Sequence, residues 1–222
     1  MVINKELLSS NAASLGVDLS EDMLDKFDLL ASLLIEQNKT MNLTAITQPN
    51  EVVVKHFADS LSLLSAIEVP QGANVLDLGT GAGFPGLPLL IARPDIRLTM
   101  VDSTAKKLAY VASTLDKLSL SAETLHARAE EAGKDPAYRE QYDIVCSRAV
   151  AALNVLCEYC LPFVKVGGTF VAMKSAKAQE ELQLAEKAIS TLGGKTVGQK
   201  CFTLSDLSLI HISEPTRLRR IS

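Results

Sequence analysis

After Gly72 the sequence alternates short apolar runs with amphipathic helical stretches, a pattern that leaves few folds open. Asn74 to Leu78, Ile96 to Val101, Glu123 to Ala127, Tyr142 to Cys146 and Gly168 to Met173 read as strands. Gly86 to Ala92, Ala105 to Lys117, Ala152 to Leu161 and Ala178 to Leu192 read as helices. Such alternation specifies an α/β fold, a mostly parallel sheet wound by right-handed crossovers with helices on both faces. Lys195 to Leu204, after Gly193-Gly194, is expected as a further strand that needs an antiparallel neighbour. Residues 3 to 66 read differently: Leu24, Phe27, Leu30 and Leu34 recur at helical spacing, and a helix beginning near Thr47 accepts Pro49 in its first turn. Residues 1–66 are therefore expected as a helical extension packed on a core domain of residues 67–206.

A chain of 222 residues, 47% hydrophobic, has enough apolar surface for one sizeable core. Its apolar stretches, such as Leu29 to Ile35 and Leu87 to Ala92, fall far short of the roughly 20 residues that cross a bilayer. Lys5 and Glu6 interrupt the N-terminus where a secretion signal would carry its apolar core. A cytoplasmic monomer without a membrane partner is the expectation. Cys146, Cys157, Cys160 and Cys201 lack the spacing of a disulfide framework; Cys157 and Cys160 form one CxxC in an apolar helical stretch with no second pair, so no metal is assigned. A formal charge of −4 argues against a non-specific nucleic-acid coat but leaves room for a local basic face.

The final residues stand apart. Leu207 to Arg217 resemble the in-frame translation of a transposase-type sequencing adapter, with Leu218 to Arg220 as its index and Ile221-Ser222 as its resumption. Residues 207–222 are expected to be a non-native tail that replaces the natural C-terminus. The tail carries three arginines and one glutamate, and without it the formal charge falls from −4 to −6.

The densest chemistry lies in Val75-Leu76-Asp77-Leu78-Gly79-Thr80-Gly81-Ala82-Gly83-Phe84-Pro85-Gly86, a strand running through a glycine turn into a helix. Glycines there let a ligand approach the backbone. Gly81 to Gly86 formally satisfies GxGxxG, so a nicotinamide dinucleotide is one candidate occupant. Asp77 tilts the balance: its DxGxGxG form resembles the first motif of class I methyltransferases, and a carboxylate serves a cationic sulfonium better than a pyrophosphate. Asp77 is read either as a cofactor contact or as a structural acceptor for the loop. Asp102, 23 residues after Gly79 at the end of the next strand, suits ribose hydroxyls, though it also sits where an acid caps the following helix.

Longer stretches carry a closer likeness. Gly79 to Pro88, Arg93-Pro94, Val101-Asp102-Ser103, Met41 to Ile46, Lys55 to Leu61 and Ser147-Arg148-Ala149 together resemble the ribosomal RNA small-subunit methyltransferase G family, also termed glucose-inhibited division protein B, over about residues 20 to 200. Gln37-Asn38 departs from the tryptophan that the family often carries before the asparagine. The resemblance implies a Rossmann-like class I fold. It also implies transfer of a methyl group from S-adenosylmethionine to N7 of a guanine, guanine 527, in 16S ribosomal RNA or the 30S subunit. It places Gly79, Phe84, Ala129, Glu130 and Arg148 at the cofactor, beside Gly81 and Asp102 from the glycine turn and the strand spacing, with His56 and Lys174 as candidates on the substrate side. N7 carries its own lone pair, so no catalytic acid or base is named. The residues themselves leave plainer readings open: a solvated acid for Glu130, a structural ion pair for Arg148, a core or surface histidine for His56 and a solvated lysine for Lys174.

Overall fold

The computed structural model describes residues 2–174, 178–204 and 208–217, the last segment by its backbone. Two capped helices open the chain. In α1 (Lys5–Ser14) the Leu7 amide donates to Asn4 Oδ1 at 2.9 Å, and in α2 (Glu21–Met41) the Met23 amide donates to Ser20 Oγ at 3.3 Å. Pro49 then opens a single turn, α3 (Pro49–Val52), which widens into a π-helix at Val53–Ala58 before α4 (Asp59–Ala66). The π-turn has no periodic signature in the sequence, and the helix expected near Thr47 is split by it.

The expected alternation follows. Strands are β1 (Asn74–Leu78), β2 (Arg97–Asp102), β3 (Glu123–His126), β4 (Tyr142–Arg148), β5 (Val164–Lys174), β6 (Gly194–Leu204) and β7 (Ser208–Arg217). Helices are α5 (Gly86–Ala92), α6 (Ala105–Leu118), α7 (Ala129–Ala132), α8 (Leu153–Cys160) and α9 (Ala178–Thr191). The sheet order is β3-β2-β1-β4-β5-β7-β6, with the first five strands mutually parallel. The order reverses between β1 and β4, and a crevice at the carboxyl ends of strands beside such a switch is where open α/β sheets take ligands. Most boundaries fall within a residue of expectation, and two depart further. β4 runs on to Arg148, so that arginine ends the strand rather than following it, and β5 begins at Val164 rather than Gly168, with a register shift opposite Tyr142 and Ile144.

One apolar cluster joins Phe27, Leu30 and Leu34 of α2 to Phe57, to Leu61 of α4 and to Val75 and Leu87 of the sheet domain. The other packs Val145, Phe170, Leu156 and Ile189 against the opposite face. The rings of Phe27 and Phe57 lie 5.0 Å apart, and Phe57 and Phe84 6.1 Å apart, so the N-terminal helices rest on the glycine turn itself.

β7 pairs antiparallel with both β5 and β6. Its ladder to β5 runs through Thr169↔Thr216, misses the positions opposite Pro215 and Glu214, and resumes at Ala172↔Ser213. The β6 ladder shifts register between Thr196 and Gly198, again beside Pro215. A proline has no amide proton to give, so a break there is what its chemistry dictates.

Candidate functional site

Beyond β1 the turn is tied down from three sides. The Gly79 and Thr80 amides donate to the Val101 carbonyl at 2.8 and 3.0 Å, which pins the turn to β2. Asp77, fully buried, accepts from Thr80 Oγ1 at 2.7 Å and from the Gly86 amide at 2.9 Å, so one carboxylate oxygen closes the turn and receives the start of α5. Asp77 is thus the loop's structural acceptor; it stands behind the crevice rather than in its wall. Burial pushes its carboxyl up to about 6. Gly81 has φ +58, and a Cβ built there would project into open space, with Gly79 O at 3.9 Å as its nearest neighbour.

Asp102 faces the same space. Its Oδ2 accepts from the Gly81 amide at 3.0 Å and its Oδ1 from the Thr104 amide at 2.8 Å, while the residue remains only 8% exposed. Thr104 is the N-cap of α6, so Asp102 turns the chain toward that helix from two residues upstream rather than capping it, and each of its oxygens keeps lone-pair capacity for a further donor.

Opposite the turn, Phe84 lies face to face with His56, ring centroids 4.6 Å apart and planes 9° apart, and the Arg148 guanidinium sits 5.2 Å from the Phe84 centroid. Arg148 Nη1 pairs with Asp59 Oδ2 at 2.5 Å and donates to the Lys55 carbonyl at 3.2 Å, and its Nη2 lies 3.1 Å from His56 Nδ1. The ion pair and the cleft position hold at once. Burial, then the Arg148 charge, push the His56 imidazole down to about 3, so the ring is neutral. Burial also raises the Asp59 carboxyl, against the pull of Arg148.

These groups enclose a cleft of about 400 Å³, lined by Thr44, His56, Gly79, Gly81, Phe84, Asp102, Lys107 and Arg148 among others. That volume falls within the range of small-molecule sites. A larger hollow, about 1250 Å³, lies beside α1 between Val2 and Asn50, but it touches neither the glycine turn nor any strand end. Chemistry converges on the smaller one.

The structure brings together Gly79, Gly81, Phe84, Asp102, Arg148 and His56. Ala129 and Glu130 do not join them in that wall: they open the short helix α7, where Ala129 packs on the second apolar cluster and Glu130 is exposed. Lys174 is not a free surface cation for RNA phosphate. Its Nζ pairs with Glu181 at 2.8 Å and donates to the Ala151 carbonyl, with the side chain 9% exposed. Thr44 and Asp59 were not singled out in the sequence, although both lie inside the stretches that carry the family likeness. What they do depends on contacts with residues 12 and 89 positions away, which no local pattern reports.

The residues fit S-adenosylmethionine. A glycine turn open to the cleft, a carboxylate with spare acceptor capacity for ribose hydroxyls and an aromatic wall at Phe84 are what an adenosyl sulfonium needs. Gly79, Gly81, Phe84, Asp102 and Arg148 would hold it. In solved structures, a S-adenosylmethionine-dependent methyltransferase of Aquifex aeolicus superposes with a TM-score of 0.57 at 18% identity, covering 78% of this chain and 96% of the other. A S-adenosylmethionine-dependent O-methyltransferase of Thermotoga maritima gives 0.57 at 16% identity, covering 85% and 73%. At those identities the likeness shows the class I fold. Closer relatives are named ribosomal RNA small subunit methyltransferase G. That of Pelotomaculum thermopropionicum is 48% identical over 196 residues, 88% of this chain and 82% of the relative. That of Clostridium perfringens is 44% identical over 194 residues, 87% and 81%. Residues 23–210 match the rRNA small subunit methyltransferase G family, and it is to this family of S-adenosylmethionine-dependent methyltransferases that the chain belongs.

Proposed function

We propose that this chain transfers the methyl group of S-adenosylmethionine to N7 of one guanine in 16S ribosomal RNA, as free RNA or within the 30S subunit, and works as a cytoplasmic monomer. The observation that carries the reading is the state of the bases in the cleft. Both nitrogens of His56 are engaged, by Thr44 and by Arg148, and each Asp102 oxygen already accepts a backbone amide. With the lone pairs left on Asp102 given to ribose hydroxyls, neither His56 nor Asp102 stands ready to strip a proton from a nucleophile. A substrate atom with its own lone pair, such as purine N7, needs no such help. The relatives' names supply the RNA, and the absence of a helix long and apolar enough to cross a membrane among the described residues accords with a partner in solution.

When bound, S-adenosylmethionine supplies an electrophilic methyl group on a sulfonium. The chain's own contribution is placement. Asp102 and the Gly81 amide fix one end of the cleft, and Phe84, covered on one side by the stacked His56 ring and the Arg148 guanidinium beside it, forms a wall. Alignment of two reactants in this way contributes several kcal/mol toward a displacement. Incubating the protein with 30S subunits or 16S RNA from cells lacking the activity, then digesting to nucleosides, is expected to yield 7-methylguanosine by mass spectrometry. Calorimetry is expected to show S-adenosylhomocysteine bound and NAD not bound. A different methylated nucleoside, or NAD affinity alone, overturns the reading.

A further inference from the structure

Thr44 sits in the cleft wall beside His56 and Phe84 with its hydrogen-bonding capacity almost exhausted. A guanidinium only donates, so Arg148 Nη2, 3.1 Å from His56 Nδ1, makes that nitrogen an acceptor. The neutral ring must then carry its proton on Nε2. Nε2 lies 2.8 Å from Thr44 Oγ1, and the Ile46 amide donates to the same oxygen at 3.0 Å. A hydroxyl oxygen has two lone pairs, and both are taken. What remains is its own proton, which meets no acceptor among the described residues. The segment is not free to rearrange, because Asn38 grips the Thr44 backbone twice: the Thr44 amide donates to Asn38 Oδ1 at 2.9 Å, and Asn38 Nδ2 donates to the Thr44 carbonyl at 2.9 Å.

We infer that Thr44, locked as a donor, reads a keto oxygen on the substrate and so selects guanine over adenine at the methylated position. On the purine edge that carries N7, guanine offers the acceptor O6 where adenine offers an amino group. A hydroxyl with both lone pairs spent satisfies O6 and has nothing to give an amino proton. Arg148 is therefore a positioning residue at one remove: its side chain sets the His56 tautomer, and the tautomer sets the polarity of Thr44. The inference rests on the guanine-N7 reading above and adds the group that recognises the base.

The test uses the full chain and 30S subunits reconstituted with 16S RNA carrying guanine, hypoxanthine or 2-aminopurine at the methylated position. Hypoxanthine keeps N7 and the keto oxygen; 2-aminopurine keeps N7 and lacks it. Thr44→Val is expected to lower kcat/KM on guanine and on hypoxanthine by roughly tenfold to a hundredfold, since a buried polar contact to substrate is lost. On 2-aminopurine, already a poor substrate, the same change should alter the rate by less than about threefold, and Thr44→Ser should restore the preference for guanine. Calorimetry with S-adenosylhomocysteine confirms that each variant folds and holds its cofactor site. A purely structural Thr44 would depress all three substrates alike, and that result, or an unchanged rate on guanine, overturns the inference. If the wild-type product is methylated at an atom other than guanine N7, the functional reading itself falls, and the assignment of O6 with it.

Discussion

Asp102 holds two positions at once, and its substitution separates them. Asp102→Ala removes the acceptor of the Gly81 and Thr104 amides together with the lone pairs proposed for ribose hydroxyls, and charge-assisted bonds of this kind contribute about 1.5–3 kcal/mol. S-adenosylhomocysteine affinity is expected to fall tenfold or more by calorimetry, with Asp102→Asn intermediate because one acceptor oxygen survives. Unchanged affinity in folded Asp102→Ala would reduce the residue to a support for the turn and the approach to α6. His56 gives a pH dependence with a definite sign. Its folded value of about 3 lies below the unfolded 6.5, so the unfolded chain takes up the proton first and stability is lost as pH falls from 6.5 toward 3. Asp77, raised to about 6 from 3.8, acts oppositely between those values, so the comparison must be made between chains that both retain it. His56→Gln is expected to destabilise at pH 7.5 and to do so by about 2 kcal/mol less at pH 5, read from denaturant midpoints. A pH-independent difference would mean that the imidazole is not held neutral by its surroundings.

The strands and long helices were legible because parallel strands buried on both faces read as nearly continuous apolar runs, and β1 and α5 begin and end where the sequence places them. The π-turn at Val53–Ala58 and the four-residue α7 were not, since neither is long enough to show a period. Candidate residues on the glycine turn were legible from spacing. The pairing of Arg148 with Asp59, and the burial of Lys174 against Glu181, depend on how α4 and α9 dock, which no spacing encodes. The junction of β1, the turn and α5 supplies a prediction of its own. Alanine is the better helix former by about 1 kcal/mol, yet a Cβ on Gly86 would stand 2.8 Å from Asp77 Oδ2 and 2.8 Å from Met100 Cε. Overpacking costs about 1–3 kcal/mol, and Asp77 is fixed by Thr80, so Gly86→Ala is expected to lower the denaturant midpoint and weaken S-adenosylhomocysteine binding. A stabilised variant would show that the turn has slack.

At the scale of the whole molecule the sheet is only as sound as its last strand. β7 lies inside the sheet, and its ladders falter at Pro215 and beside Glu214, residues ill suited to a central strand. We expect a chain in which a family-like C-terminal strand replaces residues 207–222 to be more stable by several kcal/mol through restored pairing and apolar burial. Coincident denaturant midpoints would show that the present tail is tolerated. The placement of β7 also bears on how the protein is made. Synthesis makes β5 and β6 first, yet the two are not neighbours, and the place between them belongs to the segment made last. Until that segment emerges, the edge of β5 stands open beside a crevice already assembled from β1, β2 and β4. The nascent chain therefore completes that crevice before its sheet, and the interval between the two is when it is most exposed to pairing with the wrong strand.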